Sequence, residues 1–111
     1  MAAPFLRCKF PTQEHILART ALELLELERR AIGAMNAGHL KEAATLYAEI
    51  VAQNPGWEHG TALYGLACCY EDLGELTLAE ECYRRALNYE PENSTFIGGL
   101  TSFLHLHGGK S

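Results

Sequence analysis

The stretch Ala67-Cys68-Cys69-Tyr70-Glu71-Asp72-Leu73-Gly74-Glu75-Leu76-Thr77-Leu78-Ala79-Glu80-Glu81-Cys82-Tyr83, running on to Glu90-Pro91, decides the fold because it occurs twice. Its counterpart is Ala31-Ile32-Gly33-Ala34-Met35-Asn36-Ala37-Gly38-His39-Leu40-Lys41-Glu42-Ala43-Ala44-Thr45-Leu46-Tyr47, running on to Asn54-Pro55. Gly38 and Gly74, Leu40 and Leu76, Ala43 and Ala79, Tyr47 and Tyr83, and Pro55 and Pro91 are each 36 residues apart. One offset held across five residue types is a structural repeat, and a repeat settles the architecture before any single helix does.

Each matched residue has a task in a pair of antiparallel helices. Gly38 and Gly74 follow amphipathic runs and suit the left-handed conformation that ends a helix. Ala43 and Ala79 let two helix backbones approach, and Tyr47 and Tyr83, one turn on, fill the space beyond. Pro55 and Pro91 stop the second helix of each pair. The apolar spacing agrees: Leu40, Ala43, Tyr47, Ile50 and Val51 share one face, Leu76, Ala79, Tyr83, Ala86 and Leu87 repeat it, and Leu63, Leu66, Ala67 and Tyr70 mark a helix between. No stretch reads as a strand.

Outside the repeat, Thr12 is a candidate N-cap for a long first helix, or two helices with a kink, through Ile16, Leu17, Ala21, Leu24, Leu25, Ala31 and Ile32. Ser94 is a candidate cap for a last helix with the stripe Phe96, Ile97, Leu100, Phe103 and Leu104, ending at Gly108-Gly109. That helix has no charged side chain on its outer face, Gly98, Thr101, Ser102 and His105, so it is either a simple cap of the stack or a surface for a partner or second copy. The expected organisation is a disordered tail over residues 1–11, a helical domain over 12–107 and a short tail over 108–111.

At these positions the sequence resembles the tetratricopeptide repeat family, with its pattern W-x2-L-G-x2-Y…A-x3-F…P. Leu63, Leu66, Ala67 and Tyr70 stand at the first four pattern positions, followed by Ala79, Tyr83 and Pro91. The earlier unit is weaker in its first helix (Leu27, Arg30, Ala31, Ala34) and strong in its second (Ala43, Tyr47, Pro55). The spacing exceeds the family's 34 residues by two, which fit best in the connection Asn54-Pro55-Gly56-Trp57-Glu58-His59 as an extra turn. The fold expected is therefore an all-α, antiparallel helix-pair solenoid of about two and a half repeats, with a long N-terminal helix and a C-terminal capping helix.

The resemblance also implies a concave face lined by the first helix of each pair. Its residues would be Leu25, Glu28, Ile32, Met35 and Asn36, then Thr61, Tyr64, Cys68, Glu71 and Asp72, with Thr95, Gly98, Ser102 and His105 as a partial third set. This strip is apolar and acidic and holds no Lys or Arg. Family members that clamp the acidic C-terminus of chaperones use cationic side chains, whereas here Glu28, Ile32, Tyr64 and Cys68 occupy those places. The implied ligand is a neutral to basic peptide or amphipathic helix. A dedicated small chaperone for one aggregation-prone client is the alternative role, and a homodimer through the last helix a further option. Trp57, Phe96, Ile97, Leu100, Phe103 and Leu104 are the candidates for a second interface, Trp57 being equally readable as a staple between helices.

Composition narrows the classes. The chain has 111 residues, 48% of them hydrophobic and 21% charged, and a formal net charge of −5, which suits one soluble domain and disfavours nucleic acid and anionic lipid as partners. No apolar run approaches the roughly 18 residues that span a bilayer. Arg7 and Lys9 give a weak transit-peptide signal that Pro4 and Pro11 spoil. Cys8, Cys68, Cys69 and Cys82 lack metal spacing and read as reduced, buried thiols of a cytoplasmic protein. No enzyme is expected, nor any metal or cofactor: Cys68 and Cys69 have no activating His, Glu71-Asp72 and Glu80-Glu81 read as solvated faces, and His105 and His107, two apart on a helix, read as solvated. Gly108-Gly109-Lys110-Ser111 lacks the first glycine of a phosphate loop, since residue 104 is Leu104.

Overall fold

The computed structural model describes residues 20–108, and among them every regular element is helical. Five α-helices follow in order: α1 Ala21–Asn36, α2 Leu40–Gln53, α3 Thr61–Leu73, α4 Leu76–Tyr89 and α5 Ser94–His107, with a 3-10 turn, Trp57–Gly60, before α3. Helices α1 and α2 form one antiparallel pair, α3 and α4 the next, and α5 opens a third. Each helix packs on the one before it, as expected of a stack in which each unit touches only its neighbours.

The turns within the two pairs are copies. Gly38 has φ +84° and Gly74 φ +85°. In each the next residue closes the helix with a six-residue bond, His39 N–H donating to the Ala34 carbonyl at 2.8 Å and Glu75 N–H to that of Tyr70 at 2.8 Å. Only glycine takes that φ without a Cβ penalty, so the repeated glycines and the repeated turns are one fact.

The core is a continuous apolar seam. Ala31, Ala43, Ala62, Ala67, Ala79 and Ala86 are completely buried where backbones meet, and Leu24, Leu27, Tyr47, Ile50, Leu63, Leu66, Cys69 and Tyr83 fill the gaps between them. No polar or charged side chain is buried among the described residues. Tyr47 lies over Gly65 of the next helix, where an added Cβ would come within 2.6 Å of the ring, and Tyr83 and Tyr64 lie over Gly99, where the closest approach would also be 2.6 Å. Each pair thus presses a tyrosine onto a glycine of the following helix.

Two helix starts differ from the sequence reading. Thr20 has an extended backbone, φ −78° and ψ 163°, and makes a full capping box: its Oγ1 accepts from Glu23 N–H at 3.1 Å while its own N–H donates to Glu23 Oε1 at 3.1 Å. One unbroken helix from Thr12 is therefore excluded, although Thr12 itself, like the expected tails over 1–11 and beyond 108, lies outside the described residues. At α5 the cap is Asn93 rather than Ser94, because the Asn93 Oδ1 accepts from Phe96 N–H at 3.0 Å.

The two additional residues of the first repeat are taken up between Gly56 and Gly60. Glu58 (φ 51°) and His59 (φ 58°) both adopt left-handed backbone there, instead of adding an ordinary helical turn. Gly60, at φ +98°, sits 3.0 Å from the Ala86 carbonyl as measured from an added Cβ, so the loop is pinned against α4.

Candidate functional site

Helices α1 and α3, the first of each pair, each leave one face outside the core. Both helices turn Leu24, Leu27, Ala31 and Ala34, or Leu63, Leu66 and Ala67, into the core and leave the residues between them outside. On α1, Leu25 and Ile32 are each 44% exposed, Met35 is half-buried and Asn36 is exposed. On α3, Tyr64, Cys68 and Glu71 are half-buried and Thr61 and Asp72 exposed. On α5, Thr95, Gly98, Ser102 and His105 are exposed. Arg29 stands beside this set and is ion-paired with Glu26 one turn earlier.

Both glutamates of the strip already serve the fold. The Trp57 indole N–H donates to Glu28 Oε1 at 3.3 Å, linking the inter-repeat loop to α1 across 29 residues. Tyr83 O–H donates to Glu71 Oε1 at 2.7 Å, and His107 Nε2 lies 2.9 Å from Glu71 Oε2. Glu71 therefore joins α3, α4 and the last turn of α5. It is not the solvated carboxylate expected from sequence, and His107 is not a solvated helix-end histidine. Its ring also meets Phe103 at a centroid distance of 5.1 Å.

Aromatic packing completes this junction. Tyr64 stacks on Phe96 at 5.3 Å and meets Tyr83 edge-on at 5.7 Å, and Tyr83 meets Phe103 at 5.5 Å. The Cys68 sulfur is 3.7 Å from the Tyr83 hydroxyl. Burial, and then the acceptance of its proton by Glu71, raises the Tyr83 phenol far above its ordinary value, so it stays a donor. Burial also raises the Cys68 thiol, although hydrogen bonds from Tyr83 and Tyr64 work against the shift. A thiol held protonated is a poor nucleophile.

The proposed second interface fares differently. Trp57, Phe96, Leu100 and Phe103 are buried inside the stack, Leu104 is half-buried, and Ile97 is exposed. The stripe of α5 faces inward because α4 and the tyrosines over Gly99 take it up, and Trp57 acts as the staple. Four of the six candidates are therefore not open surface.

Sequence reasoning missed a groove on the opposite, convex side. Lys41, Thr45, Ala48, Tyr70, Leu73, Glu75 and Leu78 line a shallow hollow of about 530 Å³ between α2 and the α3–α4 turn. Leu78 lies off the repeated positions, so no periodic signal marks it. Among the described residues, no group of His, Cys, Asp and Glu is assembled to hold a metal ion, and no helix is long and apolar enough to cross a membrane.

A stack of antiparallel helix pairs is the architecture of helical-repeat proteins. The tetratricopeptide repeat family matches residues 61–93, from the start of α3 to the cap of α5, so this part of the chain is similar to a tetratricopeptide repeat. The match supports a protein–protein interaction module in general terms. No curated protein matches the chain.

Proposed function

We propose that the chain binds a protein segment, as an extended peptide or an amphipathic helix, along the inner strip of α1 and α3, and that the segment carries apolar anchors with flanking Lys or Arg. The observation that carries this reading is the exposure of Leu25 and Ile32 together with Tyr64, Cys68 and Asp72, beside Arg29, a cation that is ion-paired with Glu26. Apolar side chains left open along one face mark an interaction site more readily than scattered ones. The carboxylates favour positive partners and repel acidic tails. Glu28 and Glu71 contribute charge but are held by Trp57, Tyr83 and His107. Asp72, exposed, is the carboxylate best placed to meet a cation directly. The three described cysteines are free thiols, which supports action in a reducing compartment such as the cytoplasm.

Selection of peptides from a random displayed library against the immobilised full chain tests this reading. Enrichment of sequences that combine bulky apolar residues with Lys or Arg is the expected outcome. Recovery of acidic peptides, or enrichment that survives Ile32→Ser with Asp72→Asn, would count against it.

A further inference from the structure

Helices α1, α3 and α5 are the first helices of three successive pairs, and their residues correspond. Gly65 lies beneath Tyr47 and Gly99 beneath Tyr83, which aligns α3 with α5 at a spacing of 34 residues, while the repeat aligns α1 with α3 at 36. Ala62 and Phe96, Leu66 and Leu100, and Cys69 and Phe103 are buried alike in α3 and α5. Two positions differ. Leu27 and Leu63 are 5% and 0% exposed, whereas their equivalent Ile97 is 43% exposed, and Ala31 and Ala67 are completely buried, whereas Thr101 is exposed. Helix α1 has no helix before it among the described residues and still buries Leu27 and Ala31, so their cover comes from the helix that follows, α2. Helix α5 has α4 before it and no described helix after it, and the same two positions are bare.

We infer that the face of α5 carrying Ile97 and Thr101, with half-buried Leu104 one turn on, is a docking site for one amphipathic α-helix of a partner protein, seated as the second helix of the third pair. The fold shows twice what such a helix presents. Helix α2 buries Ala43, Leu46, Tyr47 and Ile50, and α4 buries Ala79, Cys82, Tyr83 and Ala86 at the corresponding positions. The occupant therefore has a small residue, apolar residues three and seven positions later, and an aromatic at the fourth. Its opposite face is polar, as the end of a repeat stack requires. Helix α5 holds no Asp, Glu, Lys or Arg, so the contacting face of the occupant is uncharged too, because a charge buried there would have no partner. A second copy of the chain has no such helix to offer, since its own α2 and α4 bury these residues within its own stack. The site continues the packing already made by α1 with α2 and by α3 with α4, and its residues are distinct from those of the inner strip.

The test is a titration of the full chain, followed by amide spectra, with a synthetic peptide of residues 39–54, the α2 sequence, held helical by a hydrocarbon cross-link between its outward positions 41 and 45. Resonances of Ile97, Thr101 and Leu104 should move, while Ile32 and Asp72 on the inner strip and Leu78 on the convex side stay in place. Thr101→Arg and Ile97→Ser, both at exposed positions of the chain, should each weaken binding about tenfold, the first by setting a charge in the contact and the second by removing apolar area. Tyr47→Ser in the peptide should weaken it at least as much. Unmoved α5 resonances, movement confined to the inner strip or the convex side, or binding that both chain variants leave intact would overturn the inference. A wild-type dimer, seen by light scattering and lost in Thr101→Arg, would give this face to a second copy and overturn the assignment of a partner helix.

Discussion

His107 and Glu71, 36 residues apart in the chain, meet at 2.9 Å and join the last turn of α5 to the last turn of α3. The contact matters because α5 packs on α4 more sparsely than any other helix packs on the one before it, and no sixth helix follows among the described residues.

His107→Ala removes this contact and the ring packing on Phe103. With the pair 30% and 20% exposed, the expected loss is about 1 kcal/mol of stability, between the values for exposed ion pairs and for buried hydrogen bonds to charged groups. Amide exchange should accelerate selectively in α5. Uniform acceleration along the chain would show that α5 is not a separate, weaker unit.

Gly65→Ala and Gly99→Ala each place a methyl group 2.6 Å from a tyrosine ring, Tyr47 or Tyr64. Overpacking of this kind costs about 1 to 3 kcal/mol. Gly33→Ala meets nothing within 4 Å inside α1 and should stabilise by about 0.5 to 1 kcal/mol. Denaturant midpoints of the three variants check the contrast, and a loss in Gly33→Ala would contradict it.

Trp57→Phe keeps the buried ring volume in part but deletes the indole N–H that donates to Glu28. A cost of about 1 kcal/mol is expected for the bond alone, against about 3 to 5 kcal/mol for Trp57→Ala. If Glu28→Gln proved as costly as Trp57→Ala by thermal unfolding, the hydrogen bond rather than packing would be the main part of the staple.

Burial is the largest cause that pushes the Cys69 and Cys82 thiols from 9.0 to about 11. Unfolding restores the ordinary value, so between these pH values the unfolded chain has lost protons that the folded chain retains. Stability fully present below pH 9 is therefore lost as the pH rises toward about 11. Tyr47, raised from 10.0 to about 12 mainly by burial, extends the decline. The midpoint in denaturant should fall from pH 8 to pH 10.5, less steeply in Cys69→Ala/Cys82→Ala, and a flat profile would contradict the burial argument.

The repeat, the helix pairs and their turns were legible because each depends on one local residue type. Gly38 and Gly74 admit the left-handed turn, and Pro55 and Pro91 bar continuation. The contacts that shape the inner strip were not legible. Glu28 with Trp57 joins residues 29 positions apart, off the repeat, and Glu71 with His107 spans one 36-residue repeat, but that spacing does not tell that the two side chains bond. The left-handed Glu58 and His59 run against residue preference, so only tertiary packing, with Gly60 against Ala86, accounts for them. Phe96, Leu100 and Phe103 formed an evident stripe, but a stripe tells which face is apolar and not what covers it.

Calorimetric titration of a library-selected peptide into the wild-type chain, Ile32→Ser and the convex-side variant Leu78→Ser tests the central claim most directly. The account predicts an affinity loss of roughly tenfold, about 1.4 kcal/mol, for Ile32→Ser and none for Leu78→Ser. Loss in Leu78→Ser with Ile32→Ser unchanged would move the binding site to the convex groove and contradict the assignment of the inner strip.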